Sequence, residues 1–210
     1  MTRRNHASAL ITFEGIDGCG KSTQVALASK YLTSRGFRVK ILREPGSTPV
    51  AERIRKILLS KREPMAATTE LLLYQAARAE LVEREVRPLL DRHYIVLCDR
   101  FYDSTTAYQG YGRKLDLRTV RSLNKIATGG LVPDLTLVFD VDLDTAQRRR
   151  GRNPDRLESE SRAFFSRVRS GFLAIARSER KRIHVVDASR SVDETFEAVK
   201  KIIERKLAIA

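Results

Sequence analysis

The sequence predicts an α/β fold: a five-stranded parallel sheet with helices on both faces. Three observations lead there. Five short apolar runs end in turn or polar residues, segments of helical period separate them, and a complete glycine-rich turn joins the first run to the first helix. Most of the runs are continuously apolar, as strands become when helices cover both sides of a sheet. The chain has 210 residues, 42% of them hydrophobic, and no internal repeat, so residues 1–210 read as one domain with a sizeable core.

Residues 1–8 form a polar leader without an apolar centre, expected to be neither a signal peptide nor a membrane anchor. The first strand spans residues 9–13. A helix over residues 22–35 follows, with Val25, Leu27, Ala28, Tyr31 and Leu32 as its apolar or small positions and Gly36 as its stop. Further strands are expected at residues 37–42, 94–98, 135–141 and 182–186. Beyond Ser189 an amphipathic helix carries Val192, Phe196, Val199 and Ile203 on one side, for core packing. Each strand ends in a polar cluster, and in a parallel sheet those ends share one rim, where ligands collect.

The turn after the first strand matches G-x-x-x-x-G-K-[ST] in full: Gly15, Ile16, Asp17, Gly18, Cys19, Gly20, Lys21 and Ser22, with Thr23 next. Its glycines let the backbone wrap a phosphate chain, its N–H groups and the helix N-terminus face negative charge, and Lys21 reaches the outer phosphates. Ser22 offers its hydroxyl to Mg2+. A chance glycine-rich turn would lack the flanking strand and helix, so the chain is expected to bind a nucleoside triphosphate. Asp99 follows an apolar strand, which suits a second magnesium contact through water; an aspartate there is otherwise a turn former or helix cap, and the loop's need for a metal partner favours the first reading.

Residues 148–156 combine Arg148, Arg149, Arg150, Arg152 and Arg156 with the helix breakers Gly151 and Pro154. They read as a basic lid, residues 148–158, closing over a phosphoryl group in transfer, where arginine forks stabilise spread charge once water is excluded. The bland alternative is a solvated turn.

The net charge of +14 invites a nucleic-acid partner. Segments such as 162–169 and 179–182 nonetheless mix both signs as solvated helix surface does, and no nucleic-acid-binding module is recognisable, so nucleic acid is not the expected partner. Two cysteines give no disulfide framework and fit a reducing compartment, the cytoplasm. No run approaches a membrane span.

Five ordered segments carry a resemblance: residues 11–23, then Arg43-Glu44-Pro45-Gly46, residues 99–110, Pro133-Asp134-Leu135-Thr136-Leu137, and Asp155-Arg156-Leu157-Glu158 followed by Phe164-Phe165 and Val168-Arg169. Over about residues 10–189 the chain resembles the thymidylate kinase (dTMP kinase) family. The resemblance implies the P-loop nucleoside monophosphate kinase fold, transfer of the terminal phosphoryl of ATP to dTMP giving dTDP, on the route to dTTP, with Mg2+, and a homodimer. It implies that Tyr74 stacks on thymine, where most members have phenylalanine, and that Arg78 bonds a ring carbonyl. Thr105 and Gln109 fall at the thymine edge, Tyr108 at the sugar's 2′ position, and Asp17 at the 3′-hydroxyl. Arg55 and Arg100 fall at the acceptor phosphate, and Glu44 belongs to the same substrate-binding set. Position 47 is Ser where many relatives have a second glycine. Gly18 stands where one branch places a catalytic arginine, so the resemblance assigns that arginine to the lid, with Arg149 on the adenine and Arg152 on the transferring phosphoryl. Lys21, Asp99, Arg100 and Arg152 form the expected catalytic set. The alternatives are a kinase of another (deoxy)nucleoside monophosphate, or of a deoxynucleoside, a nucleotide-dependent nucleic-acid-binding protein, and a catalytically silent binding protein, which the full set Lys21, Ser22, Asp99 and Arg100 argues against.

Overall fold

The computed structural model describes residues 8–62, 64–150 and 154–209. Strand β1 (Ala9–Glu14) leads through the glycine-rich turn into α1 (Lys21–Ser34). Strand β2 (Val39–Arg43) precedes α2 (Pro49–Leu59), which Pro49 opens and the Thr48 side chain caps by accepting from the Ala51 N–H. Helix α3 (Ala67–Leu81) runs on through a π-helical turn, Val82–Val86, into the short α4 (Arg87–Asp91). After β3 (Ile95–Asp99), α5 (Tyr102–Thr105) widens into a second π-helical stretch, Thr106–Gly112, before α6 (Leu117–Thr128). Strand β4 (Leu135–Asp140), α7 (Leu143–Arg149), α8 (Arg162–Ser178), β5 (Ile183–Asp187) and α9 (Val192–Leu207) complete the order. All five expected strands and the first helix are present, with ends displaced by at most two residues.

The sheet has the order β2-β3-β1-β4-β5 and every pairing is parallel. Neighbouring parallel strands need crossovers, which the helices supply on both faces. Side chains alternate across β1. Ile11 and Phe13 join Leu97, Leu137 and Phe139 in one core under α8 and α9, whereas Leu10 joins Leu42, Val96, Cys98 and Phe101 in the other.

The face that carries Leu10 turns polar further along. Thr12 and Glu14 are fully buried there, and the Thr12 and Thr136 hydroxyls meet at 2.7 Å. Arg182 closes the layer, donating from Nη1 to Thr136 Oγ1 (2.8 Å) and Asp103 Oδ2 (2.7 Å) and from Nη2 to Asp103 Oδ1 (2.9 Å). This bidentate pair ties α5, which carries site residues, to the start of β5. The Asp103 side chain is 2% exposed, so losing its partner leaves a buried charge uncompensated. Arg182→Met is therefore expected to cost about 3–5 kcal/mol in urea denaturation. A loss below about 1 kcal/mol would mean the pair does not hold α5 in place.

Candidate active site

The carboxyl ends of β1 and β3 lie side by side, and the site grows from them. In the glycine-rich turn Gly15 and Gly18 take φ of +137° and +83°, and a Cβ at Gly18 would stand 2.1 Å from the Ala146 carbonyl oxygen. Only glycine lets the loop pass this close to α7. At the start of α1, Lys21 is largely buried, its Nζ 3.4 Å from the Ile16 carbonyl oxygen. The Ser22 hydroxyl donates to Asp99 Oδ2 at 2.7 Å, which places two hard oxygen donors together, one from the first turn of α1 and one from the end of β3.

Arg100, next after β3, has φ of +70°, a left-handed conformation uncommon for a side-chain-bearing residue. Its N–H bonds the Phe13 carbonyl (2.9 Å), locking the strand ends. Its guanidinium donates from Nη1 to Gly15 O (2.8 Å) and Ser104 Oγ (3.0 Å), and from Nη2 to Asp17 Oδ1 (2.5 Å). The Tyr108 hydroxyl donates to the other Asp17 oxygen at 2.8 Å. Burial alone would raise the Asp17 pKa, but Arg100 and Lys21 hold the carboxyl well below the usual range, so it is an anion.

Behind this pair, Glu14 accepts from Phe101 N (2.8 Å) and Ser104 Oγ (2.5 Å). Burial, then the nearby Asp103, pushes its pKa up to about 8. Arg78 is 1% exposed. Its Nε and Nη2 donate to Glu44 Oε2 (2.8 and 2.6 Å), Nη2 also to Thr105 Oγ1 (2.9 Å), and Nη1 to Gln75 Oε1 and Asn124 Oδ1 (3.0 and 3.3 Å).

Two clefts open on this rim. The first, about 530 Å³ counting its open mouth, is lined by Glu44, Arg55, Tyr74, Arg78, Arg100, Thr105, Tyr108 and Gln109. The second, about 1280 Å³ on the same measure, is lined by residues 17–24 of the glycine turn and α1, and by Arg149, Arg150, Arg190 and Thr195. Among the described residues Asp17 alone lines both.

The family model described as thymidylate kinase matches residues 13–199. The chain belongs to the thymidylate kinase family. It is 47% identical over 199 residues to the thymidylate kinase of Geotalea daltonii, the match covering 90% of this chain and 93% of that one. To the thymidylate kinase of Gloeobacter violaceus it is 48% identical over 198 residues, covering 92% and 93%. The crystal structure of thymidylate kinase from Ehrlichia chaffeensis matches with a TM-score of 0.79 at 36% identity, over 94% of this chain and 99% of that chain.

Of the residues that likeness to thymidylate kinases implied, Asp17 to Thr23 and Arg149 line one cleft while Gly15 and Ile16 lie outside its lining, and the expected acceptor residues, with Asp17, line the other. Arg149 donates to the Ala188 carbonyl at 2.7 Å. Arg152 lies outside the described residues. Arg55 donates to the Pro45 carbonyl at 3.0 Å. Ser47 takes the glycine-like φ of +68°, its hydroxyl accepting from the Arg43 N–H at 2.9 Å, so the turn keeps a left-handed path without the second glycine. All five N–H groups of Arg78 are engaged, so a bond to a ring carbonyl requires one of them to be shared. The Tyr74 hydroxyl has no hydrogen-bond partner among the described residues, and burial pushes its pKa up.

Several site residues escaped the sequence reading. Arg150, noted only as part of a basic run, donates from Nε to the Asp17 carbonyl (3.0 Å) and lies 3.9 Å over the Phe165 ring. Glu70, on α3, carries no motif and met no notice. Glu14 and Ser104 sat inside quoted segments, but nothing in one dimension tells that they meet.

The raised Glu14 pKa has a consequence for stability. Because the folded value exceeds the ordinary 4.5, the folded state holds the proton more tightly; this contribution is complete below 4.5 and is lost as pH rises through about 8. Glu14→Gln, which keeps the shape of the protonated acid, is expected to lose less thermal stability than the native protein between about pH 5 and about pH 8. Parallel decline of both melting curves would contradict the raised pKa.

Proposed function

We propose that this chain acts throughout its length as one ATP:dTMP phosphotransferase, converting dTMP to dTDP in dTTP synthesis. The observation that carries the reading is the shared wall: a triphosphate on the glycine turn and a monophosphate nucleotide in the neighbouring cleft meet at Asp17, between Lys21 and Arg100.

The acceptor phosphate has a second pKa of about 6, so at neutral pH its oxygen is already anionic and needs no strong base. What remains is to bring two polyanions together and neutralise their charge. Lys21 and the turn's N–H groups receive the donor phosphates. Arg55 and the remaining Nε–H of Arg100 hold the acceptor phosphate. Asp17 receives the 3′-hydroxyl, and Tyr108, fixed by its bond to Asp17, fills the 2′ position against ribonucleotides. Tyr74 stacks on the base while Thr105 and Gln109 meet its edge, with Arg78 and Glu44 behind them. Arg149 stacks on adenine. Position 18 has no room for an arginine in this backbone, which supports the lid as the source of the catalytic arginine and Arg152 as its carrier.

The oxygen pair Ser22 and Asp99 suits Mg2+, which takes one or two protein oxygens and completes its shell with phosphate and water. Among the described residues there is no cluster of three or more His, Cys, Asp or Glu that could hold a metal ion. When bound there, Mg2+ neutralises charge on the donor phosphates.

The protein is read as a homodimer. Val50 on α2, Leu72 on α3 and Ile126 on α6 are 47%, 50% and 73% exposed, and Val50 and Ile126 flank one groove with Ile54 and Ala76. Exposed apolar surface of this kind fits a self-complementary interface. Cytoplasmic residence suits the two free thiols, Cys19 and Cys98. No described helix is long and apolar enough to cross a membrane.

The testing experiment is magnesium- and ATP-dependent conversion of dTMP to dTDP by the purified protein, with dUMP, dCMP and thymidine alongside. Lys21→Ala is expected to abolish turnover with the circular dichroism spectrum intact; near-normal turnover would remove Lys21 from the mechanism. In sedimentation the native protein is expected to be a dimer and Ile126→Glu a monomer, and two dimers would place the interface elsewhere.

A further inference from the structure

The carboxylate of Glu70 is 1% exposed and has every acceptor position filled. Oε1 accepts from Gln109 Nε2 (2.8 Å) and Arg113 Nε (3.1 Å); Oε2 accepts from Arg113 Nη2 (3.0 Å) and Arg156 Nη1 (2.7 Å). Burial alone would raise its pKa, but the hydrogen bonds from Arg113 and Gln109 hold it below the usual range, so Glu70 is ionised. An ionised carboxylate can only accept, and the two arginines around it can only donate.

That one-sidedness has a consequence for Gln109, whose amide would otherwise fit either way round. Its NH2 must face Glu70, and turning the amide over would set a carbonyl oxygen against a carboxylate. Gln109 lines the acceptor cleft, and its carbonyl oxygen makes no hydrogen bond among the described residues yet is not among the atoms sealed from solvent. The π-helical stretch Thr106–Gly112 fixes the backbone from which it projects.

We propose that Glu70 is a positioning residue for base specificity: by holding the Gln109 amide nitrogen it turns the Gln109 carbonyl oxygen to the acceptor cleft, where it takes the imide N3–H of thymine or uracil and rejects cytosine. The proposal rests on reading that cleft as the site of a pyrimidine nucleoside monophosphate. A pyrimidine imide offers a donor at N3, whereas cytosine offers a lone pair there, so an acceptor of fixed orientation pairs with the first and repels the second. A site built around one hydrogen-bond polarity discriminates more strongly than an apolar pocket, because the wrong ligand leaves buried polar groups unpaired. Glu70 touches no substrate; it acts through Gln109.

The test compares kcat/KM for dTMP, dUMP and dCMP in the native protein, in Glu70→Gln, and in the exchanged pair Glu70→Gln with Gln109→Glu. In Glu70→Gln the arginines keep the new carbonyl oxygen, which leaves the new NH2 facing Gln109 and turns the Gln109 oxygen away from the cleft, and the preference for dTMP and dUMP over dCMP is expected to fall at least about tenfold. In the exchanged pair the amide at 70 donates to a carboxylate at 109 whose other oxygen accepts from N3–H, and the preference is expected to return. A merely structural Glu70 would lower kcat/KM equally for all three acceptors; an unchanged ratio in Glu70→Gln, or no recovery in the pair, overturns the proposal. A measurement on the native protein guards against variants that do not fold. The side-chain NH2 of Gln109, followed by 15N NMR, is expected to stay protected from exchange when dTMP binds, and loss of that protection also overturns the proposal. If the native protein phosphorylates none of the three acceptors, the functional reading fails, while protection of the Gln109 amide still reports separately on the Glu70 contact.

Discussion

The Arg100–Asp17 ion pair is the contact on which the site depends. It joins the ends of two adjacent strands, holds the glycine turn through the Gly15 carbonyl, and stands in the wall between the two clefts. Its position asks for a left-handed backbone at a residue that carries a long side chain. Strain of that kind persists where surrounding contacts overdetermine it, and here the Phe13 carbonyl, Ser104, Tyr108 and Asp17 all do so. The Asp17 anion, paired on one oxygen and bonded by Tyr108 on the other, is already oriented before any ligand arrives.

Beneath it, one face of the sheet uses polar groups where an apolar core would serve stability equally well. Thr12, Thr136, Asp103 and Arg182 are all buried and mutually bonded, and Glu14 is bonded to Ser104 and the Phe101 N–H. A buried ion pair contributes little net stability over a hydrophobic substitute, but its hydrogen bonds admit one geometry. The geometry is that of α5, which begins just after Arg100 and runs into the π-helical stretch with Tyr108 and Gln109. Such a stretch, with its wider turn, is common at functional sites. The Glu70 carboxylate then ties this stretch, through Arg113, to Arg156, whose Nε bonds the Leu58 carbonyl at the end of α2. One buried charge thus links Gln109, in the wall of the first cleft, to Arg156 and the end of α2.

Much of this was legible in one dimension. The five apolar runs, the helical periods between them and the glycine turn determine a parallel sheet and its phosphate loop, because strand and helix formation depend on patterns that repeat every two or 3.6 residues. Lys21, Ser22 and Asp99 could be gathered on one rim for the same reason: each follows a strand end or lies in a motif, and strand ends in a parallel sheet face one rim. The family resemblance placed Tyr74, Arg78, Thr105, Tyr108 and Gln109 beside them. What local pattern could not convey was partnership. Glu70 and Gln109 are 39 residues apart, Glu14 and Ser104 are 90, and Asp103 and Arg182 are 79. Polarity at Gln109, the orientation of Arg78 and the ionisation of Glu14 are set by which groups the fold buries together, since hydrogen-bond direction and desolvation depend on neighbours in space. The sequence by itself determined the architecture and the phosphate chemistry; the tertiary structure decided which way each buried polar group faces.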